Sequence, residues 1–362
     1  MTVCCGVWLW LGTAARVQAI TLFGNGDPTN HTTAPTGTLA GSGWQWEVEG
    51  GFCATVIGPH YLATARHINL QAGPKLGFGY GGLPYRVIRV ISPDTGDLAL
   101  LEVSGVMANP APLYSRTNEL RKTMVMHGRG TQRGEPVYGP PPDGTTLQGW
   151  KWGNLDEPPR LRWGTNRVED LYESKPGDAV TGSYLIAYFS SRGGADLGTI
   201  SLGDSGGGAF IKDTDGKWKL AGVNFAVEGQ FRTAPDAVDF SAALFDRRGF
   251  YEYDDAAQGW ILDPTQNTEP RTAMYLTRIS SYLEWIQSQF DRPSDIPWPH
   301  LEAAASVEGP YFEVPSYSVL TADHQIQTLP PSETQFYRVS GDIAFQLRPP
   351  VLKDGILIFG YE

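Results

Sequence analysis

The sequence contains very little cysteine. Its 362 residues include only Cys4, Cys5 and Cys53. Small secreted domains without a sufficient core depend on several disulfides, so this count excludes a disulfide-stapled scaffold. The chain is 41% hydrophobic and 19% charged. It therefore has enough apolar material for a core, which excludes a disordered chain. At about 150 residues per domain, the length predicts two to three domains.

Basic residues are also scarce. Lys and Arg number 28 against 39 Asp and Glu, which gives a formal net charge of −11. A surface of this sign repels phosphate backbones, so the composition argues against nucleic acid as a partner.

The sequence has no hydrophobic run long enough to span a membrane. Residues 3–12 are apolar, but a spanning helix needs roughly 20 residues, and no later stretch qualifies. Val17-Gln18-Ala19 follows, with small residues placed as in the cleavage site of a secretory signal peptide. We therefore expect residues 1–19 to be removed and the protein to be secreted or periplasmic. Because Met1-Thr2 supplies no basic side chain, a buried first strand is the alternative.

Glycine and proline are abundant, at 43 and 27 residues, which favours turns over long helices. Short segments rich in β-branched and aromatic residues lie between these turns and predict an all-β barrel or sandwich. The stretches 134–167 and 228–270 are interpreted as loops or insertions. Apolar residues at helical spacing predict one helix over 273–290. A stiff linker over 291–300 and a small β module of undefined role over 301–362 complete the chain.

The strongest local motif is Gly203-Asp204-Ser205-Gly206-Gly207. A serine hydroxyl becomes a good nucleophile when a base takes its proton and nearby donors stabilise the resulting oxyanion. The glycines allow the N–H groups of Gly203 and Ser205 to point at one oxygen. Asp204 would hold the loop open by pairing with a buried cation. An ordinary glycine-rich turn is the alternative interpretation.

His67 and Asp97 supply the remaining groups that such a nucleophile needs. His67 lies in the segment 61–68, where an apolar strand runs into Ala-Arg-His, and Asp97 precedes the apolar segment 98–103. A base needs its imidazole within reach of the serine and a carboxylate behind it to fix the tautomer. Considered alone, His67 has the alternative interpretation of a structural histidine, and Asp97 has that of a cap at the start of a strand.

Several separated segments resemble, in order, the chymotrypsin/trypsin-type serine endopeptidases over about residues 35 to 290. These are Phe52-Cys53-Ala54 with ATARHI (63–68), residues 83–103, HGRGT (127–131), GDSGG (203–207), GVNFA (222–226) and YLEWIQ (282–287). The resemblance implies two antiparallel β-barrels, at about 35–115 and 120–280, with 273–290 as a closing helix.

The same resemblance implies roles for the site residues. His67 would be the general base, Asp97 would orient it, and Ser205 would attack the peptide carbonyl. The N–H groups of Gly203 and Ser205 would form the oxyanion hole. The reaction needs no cofactor and no metal, and its substrates would be proteins or peptides. The sequence thus predicts an exported serine endopeptidase; a catalytically silent binding or adhesion protein is the alternative.

Three departures from the family affect specificity and stability. Ile68 replaces the cysteine that usually follows the base, so Cys53 is expected to be a buried apolar side chain. Thr199 stands where trypsin-like members have a pocket-floor aspartate, so a preference for Arg or Lys is not supported. Asn224, Phe225 and Ala226 occupy the substrate-facing segment. The Ala226 methyl group there favours small or medium apolar substrate side chains.

The family's activation step suggests one further hypothesis. Many members free an N-terminal Ile whose amine pairs with the aspartate before the nucleophile. Cleavage after Ala19 would expose Ile20, which would let Asp204 be paired without a zymogen step. The following residues, TLFGNG, lack the Gly-Gly usual in the family.

Overall fold

The structure is a computed structural model that describes residues 20–27, 29–73, 75–140, 144–155, 160–178, 180–254, 257–292, 297–341 and 344–362. The predicted signal peptide, with Cys4 and Cys5, lies outside these residues. Antiparallel β-strands dominate the described parts, as the turn-rich composition predicts. No helix among the described residues is long and apolar enough to cross a membrane.

The strands fall into successive groups along the chain. The first part of the chain contains β1 (Thr21–Leu22), β2 (Thr55–Gly58), β3 (Tyr61–Thr64), β4 (Gly77–Tyr80), β5 (Leu83–Ile91), β6 (Ala99–Val103) and β7 (Gly105–Val106). The middle part contains β8 (Thr123–Gly128), β9 (Thr131–Tyr138), β10 (Leu147–Leu155), β11 (Arg162–Arg167), β12 (Asp170–Glu173), β13 (Ser183–Tyr188), β14 (Gly198–Thr199), β15 (Gly208–Lys212), β16 (Trp218–Val227), β17 (Gln230–Arg232), β18 (Phe240–Leu244), β19 (Tyr251–Asp254), β20 (Gly259–Leu262) and β21 (Ala273–Arg278).

The last part contains β22 (His300–Ala304), β23 (Phe312–Glu313), β24 (Tyr317–Leu320), β25 (Gln325–Thr328), β26 (Phe336–Ser340), β27 (Val351–Lys353) and β28 (Ile356–Gly360). The helices are α1 (Leu283–Phe290) and the short 3₁₀ helices Gly37–Leu39, Trp44–Trp46, Arg66–Ile68, Ile279–Tyr282 and Thr321–Asp323.

The first main sheet has the strand order β2-β3-β6-β5-β4. Strand β6 is buried along its whole length because its alternate side chains enter two different cores. Leu101 packs with Val56 inside the first sheet. Leu100 packs in a cluster that also contains Phe210 of β15. The first sheet therefore shares a core with the strands that follow it.

The second main sheet has the order β11-β8-β15-β16-β21-β13-β12. Its strand β21 shows that the predicted helix over 273–290 is wrong in its first part. Residues 273–278 pair with β13 on one side and β16 on the other. Five of the six are buried, so the strand has no polar face and shows no alternation in sequence. The α-helix begins only at Leu283, after a 3₁₀ turn.

The two stretches interpreted as loops also contain strands. Strands β9, β10 and β17 to β20 form a six-stranded sheet of order β20-β19-β17-β18-β10-β9. Its aromatic residues build their own small core, in which Phe231 and Phe250 pack with Val137. The frequent Gly, Pro and Asp residues hid these short strands because they are typical of loops.

The last 60 or so residues are joined to the first part of the chain by a shared sheet. Strand β24 pairs with β7, so that Tyr317 faces Val106, in a sheet of order β27-β28-β25-β24-β7. Of the predicted linker, 293–296 lie outside the described residues. Trp298 is buried, with its ring 5.6 Å from that of His60. This end of the linker thus packs against the first part of the chain.

Candidate active site

His67 and Asp97 are brought together by the pairing of β3 with β6. The two strands are antiparallel, and Thr64 at the end of β3 faces Ala99 at the start of β6. His67 follows β3 on the 3₁₀ helix Arg66–Ile68, and Asp97 lies just before β6. Because the end of one strand adjoins the start of the other, these two residues meet at one edge of the sheet.

Asp97 holds the histidine through two hydrogen bonds. Its Oδ1 accepts from the backbone N–H of His67, and its Oδ2 accepts from His67 Nδ1, both at 2.8 Å. Asp97 is buried, and its own carbonyl oxygen accepts from Thr277 Oγ1 at 3.1 Å. With its proton on Nδ1, the imidazole has a lone pair on Nε2 that can accept a proton.

Ser205 lies at the other side of this imidazole. Its Oγ is 2.8 Å from His67 Nε2. The loop that carries it connects β14 to β15 and has glycines with positive φ at Gly203 (+94°) and Gly206 (+87°). A Cβ on Gly206 would lie 2.3 Å from Thr64 Oγ1 and 2.5 Å from the Cys53 carbonyl oxygen. Glycine is therefore required there both for its φ and for the close approach of β3.

Asp204 is completely buried, and its carboxylate is held by backbone groups. The N–H of Gly130 donates to Oδ1 and the N–H of Ser201 donates to Oδ2, both at 2.7 Å. Ser201 Oγ donates to Oδ2 at 3.0 Å. Burial raises the pKa of Asp204 to about 6, although these hydrogen bonds and one from the backbone of Ile20 oppose the rise. Ile20, the residue predicted to pair with Asp204, thus lies beside it.

The N–H groups of Gly203 and Ser205 make no hydrogen bond within the described parts of the chain. Two unpaired donors two residues apart in a glycine-containing loop are suited to binding an oxyanion. The Cys53 thiol lies 3.9 Å from the Gly203 carbonyl oxygen of the same loop. Cys53 is free and buried, and burial raises its thiol pKa. This thiol is therefore suited to packing and not to nucleophilic chemistry.

The four predicted pocket residues lie in different environments. Phe225 is a bulge residue of β16, and its ring centroid lies 5.8 Å from that of His67 and 4.9 Å from that of Tyr184. Ala226 continues the β16 ladder opposite Tyr275. Thr199 is buried, with Oγ1 3.8 Å from the sulfur of Met274. The space beside Thr199 is therefore filled by another side chain.

Asn224 directly contacts the loop 200–207 between β14 and β15, which carries Ser205 and is called the nucleophile loop below. It is fully buried, and its Nδ2 donates to the carbonyl oxygens of His127 at 2.8 Å and Asp204 at 3.0 Å. Its backbone exchanges hydrogen bonds with the loop, from the Gly206 N–H and to the Gly207 carbonyl, at 2.9 Å each. The sequence predicted Asn224 as a pocket residue, whereas in the structure its side chain is hydrogen-bonded to the loop.

Two further buried residues contact Gly208, with which β15 begins directly after this loop, and neither was predicted as a site residue from the sequence. Glu47 Oε1 accepts from the Gly208 N–H at 3.1 Å, and His127 Nδ1 lies 3.4 Å from the Gly208 carbonyl oxygen. Burial raises the pKa of Glu47 to about 7 and lowers that of His127 to about 3. Glu47 lies far from Ser205 in sequence, in a segment without a recognisable motif. His127 begins the HGRGT segment (127–131), whose resemblance to the family did not indicate the histidine itself as a site residue.

The site combines an oriented imidazole, a hydroxyl bonded to it, and two backbone donors on the nucleophile loop. Such a set suits acyl transfer to a serine. In the described residues, no group of three or more His, Cys, Asp or Glu side chains is arranged to hold a metal ion.

No protein-family model matches the sequence, and no curated protein matches it either.

Proposed function

We propose that the protein is an exported serine endopeptidase of the chymotrypsin/trypsin type. The observation that carries this proposal is the chain of hydrogen bonds from Asp97 through His67 to Ser205, with 2.8 Å at each step. It is supported by the two unpaired N–H groups of the loop that carries the serine. A base, its orienting carboxylate, a nucleophile and an oxyanion site are together the parts that acyl transfer requires.

The proposed reaction has two halves. His67 Nε2 takes the proton of Ser205 Oγ while the oxygen attacks the peptide carbonyl carbon. The N–H groups of Gly203 and Ser205 stabilise the negative oxygen of the tetrahedral intermediate. The imidazolium then gives its proton to the leaving amine, which leaves an acyl group on Ser205. Water, deprotonated by the same imidazole, hydrolyses this ester and restores the serine.

Under this proposal the sheets correspond to two β-barrels, at about 35–115 and 120–280. His67 and Asp97 come from the first and Ser205 from the second. The core shared by Leu100 and Phe210 supports this arrangement because it fixes the two parts against each other. The signal peptide proposed at 1–19 would direct the chain out of the cytoplasm.

The surroundings of the triad favour apolar substrates. Phe225 offers a partly exposed ring beside His67, and Leu202, three residues before the nucleophile, is 65% exposed. Met274 occupies the space next to Thr199. We therefore propose that the substrate residue before the cleaved bond is small and apolar, with further apolar contact to Phe225.

Labelling with a fluorophosphonate tests the proposed function. Wild type should be labelled at Ser205, and Ser205→Ala should not be. Incubation with a peptide library should then show cleavage of peptide bonds after small apolar residues. If wild type is not labelled, or Ser205→Ala is labelled equally, the enzyme proposal fails and the alternative of a silent binding protein takes its place.

A further inference from the structure

The backbone of Asp97 is held by side chains of the second main sheet. Tyr184 on β13 and Thr277 on β21 are directly opposite each other in an antiparallel pair, so their side chains lie on the same face of the sheet. Thr277 Oγ1 donates to the Asp97 carbonyl oxygen at 3.1 Å. The Tyr184 hydroxyl accepts a hydrogen bond from the Asp97 backbone N–H. Both backbone polar groups of Asp97 are therefore bonded to neighbouring side chains of another sheet.

The Tyr184 hydroxyl is itself fixed in position. It donates to the Thr181 carbonyl oxygen at 2.8 Å while it accepts from Asp97. The residue is only 2% exposed, and burial raises the pKa of its phenol. A phenol that keeps its proton can donate and accept at the same time. The hydroxyl therefore connects the backbone of Asp97 to the segment that leads into β13.

Two glycines allow these segments to approach each other closely. Gly96 comes just before Asp97, and Gly182 comes just before β13. A Cβ on Gly182 would lie 2.6 Å from Gly96 Cα, and a Cβ on Gly96 would lie 1.9 Å from the Tyr282 hydroxyl oxygen. Any larger residue would push the segments apart. The absence of both side chains lets the Asp97 backbone come within reach of Tyr184.

The ring of Tyr184 is linked to His67 through one further residue. It stacks on the Phe225 ring, with centroids 4.9 Å apart and 24° between the planes. Phe225 in turn meets the His67 ring at 5.8 Å and 66°. Stacked and edge-to-face rings at such distances attract each other. Tyr184 therefore acts on Asp97 through its hydroxyl and on His67 through Phe225.

We propose that Tyr184 is a positioning residue, which holds Asp97 and His67 in the geometry needed to take the proton of Ser205. The inference rests on the proposed function, because it assumes that His67 acts as the base. Tyr184 is not part of the hydrogen-bonded chain from Asp97 to Ser205. Its effect is indirect, but misplacing a reacting group by about 1 Å can cost on the order of 10² in rate.

Tyr184→Phe tests the proposal, because it removes the hydroxyl and keeps the stacked ring. Labelling by a small fluorophosphonate without a peptide part should slow about tenfold. For a cleaved peptide, kcat should fall by a similar factor while KM changes less than about twofold, because an interaction of the reacting groups is lost and not one of substrate binding.

Tyr85→Phe is the matched control. Tyr85 is fully buried, and its hydroxyl donates to the Val106 carbonyl oxygen at 2.9 Å, in the core of the first main sheet. This variant should lose similar stability in urea unfolding, because it also loses one buried hydrogen bond. Its labelling rate should stay at the wild-type value.

A double variant tests whether Tyr184 acts through Asp97. Asp97→Asn already removes the carboxylate that the Tyr184 hydroxyl positions. Adding Tyr184→Phe to it should therefore slow labelling less than about twofold further, since the two changes act on one interaction.

The proposal is overturned if folded Tyr184→Phe is labelled at the wild-type rate, if Tyr85→Phe slows labelling equally, or if KM rises at unchanged kcat. Full additivity with Asp97→Asn would overturn it too. If Tyr184→Phe does not fold, Phe225→Leu decides, because it breaks the contact between Tyr184 and His67; labelling at the wild-type rate would then overturn the proposal. A wild type that is not labelled at all would instead defeat the proposed function.

Discussion

The side-chain amide of Asn224 donates to the carbonyl oxygen of Asp204, the residue before the proposed nucleophile, at 3.0 Å. The same Nδ2 donates to the backbone carbonyl oxygen of His127 at 2.8 Å. One buried amide group thus ties β8 and β16 to the nucleophile loop. The position of Ser205 therefore depends on a strand that contributes no group to the reaction itself.

Replacing Asn224 by Leu should slow the reaction of Ser205 and lower stability together. Two buried carbonyl oxygens would lose a donor, which should reduce the free energy of unfolding by about 2–4 kcal/mol. The loop would lose the hydrogen bond from Asn224 to Asp204 that holds it in position. We therefore expect fluorophosphonate labelling of the folded variant to slow at least tenfold. Labelling rates measured well below the melting temperature report the effect on the reaction of Ser205. Urea unfolding reports the effect on stability.

Asn166→Leu is the matched control for this experiment. Asn166 is also buried, and its Nδ2 donates to the carbonyl oxygens of Tyr188 and Gly198. It should lose similar stability with little change in labelling rate. Equal slowing in both variants would mean that Asn224 acts only through global stability.

Replacing Asp97 by Asn should nearly abolish turnover while leaving the fold in place. The amide would present a donor or a weaker acceptor to His67 Nδ1 and would disfavour the tautomer that the reaction needs. In the trypsin-type enzymes this loss costs about 10⁴ in kcat, and we expect a loss of this order in peptide hydrolysis. A variant that retained more than a tenth of wild-type kcat would contradict the assignment of Asp97.

The contact between Ile20 and Asp204 predicts that activity depends on where the chain begins. The backbone of Ile20 hydrogen-bonds to the buried Asp204 carboxylate. Ile20 has φ +49°, which is unfavourable for a β-branched residue. Cleavage after Ala19 would remove this constraint and give Asp204 a cationic partner. A chain that begins at Ile20 should therefore be at least tenfold more active than one with an added residue before it.

Removal of the added residue by an aminopeptidase should restore that activity. If the extended and the trimmed chains hydrolyse peptides at the same rate, the pairing of the Ile20 amine with Asp204 has no role.

Glu47→Gln should change the pH dependence of stability. Burial raises the pKa of Glu47 in the folded state from 4.5 to about 7. The stability that the protonated carboxyl gives is fully present below the unfolded pKa and is lost as the pH rises through about 7. Glutamine does not titrate. Relative to wild type, the variant should therefore gain about 2 kcal/mol in free energy of unfolding between pH 5 and pH 8.

Urea unfolding at the two pH values measures this gain. Glu135→Gln is the control, because the Glu135 side chain is 83% exposed. A difference between Glu47→Gln and wild type that is the same at pH 5 and pH 8 would contradict the raised pKa.

The sequence indicated those parts of the site that short motifs encode. His67, Asp97 and Ser205 each stand in a local pattern of turn and strand residues, and the structure brings the three together. Asn224 and Glu47 act through contacts across the sheets, and Glu47 lies 161 residues from its partner Gly208. Such pairs carry no local signal, so a single sequence does not reveal them.

The fold was predictable to a similar extent. Turn residues and β-branched segments indicated the antiparallel strands. Strand β21 was missed because burial on both faces removes the alternation by which strands are recognised. The sharing of one sheet between the first and last parts of the chain was also missed, because it depends on partners far apart in sequence.

The pairing of β24 with β7 bears on the order in which the protein is completed. Ser104 Oγ donates to the carbonyl oxygen of Val319, across 215 positions of the chain. Chains are synthesised from the N-terminus, and early parts begin to fold first. The edge of strand β7 that pairs with β24 therefore stays unpaired until nearly the whole chain has left the ribosome. An unpaired strand edge can pair with other chains. During synthesis, the last 60 or so residues thus cover a strand edge of the part that was made first, and they do so only at the end.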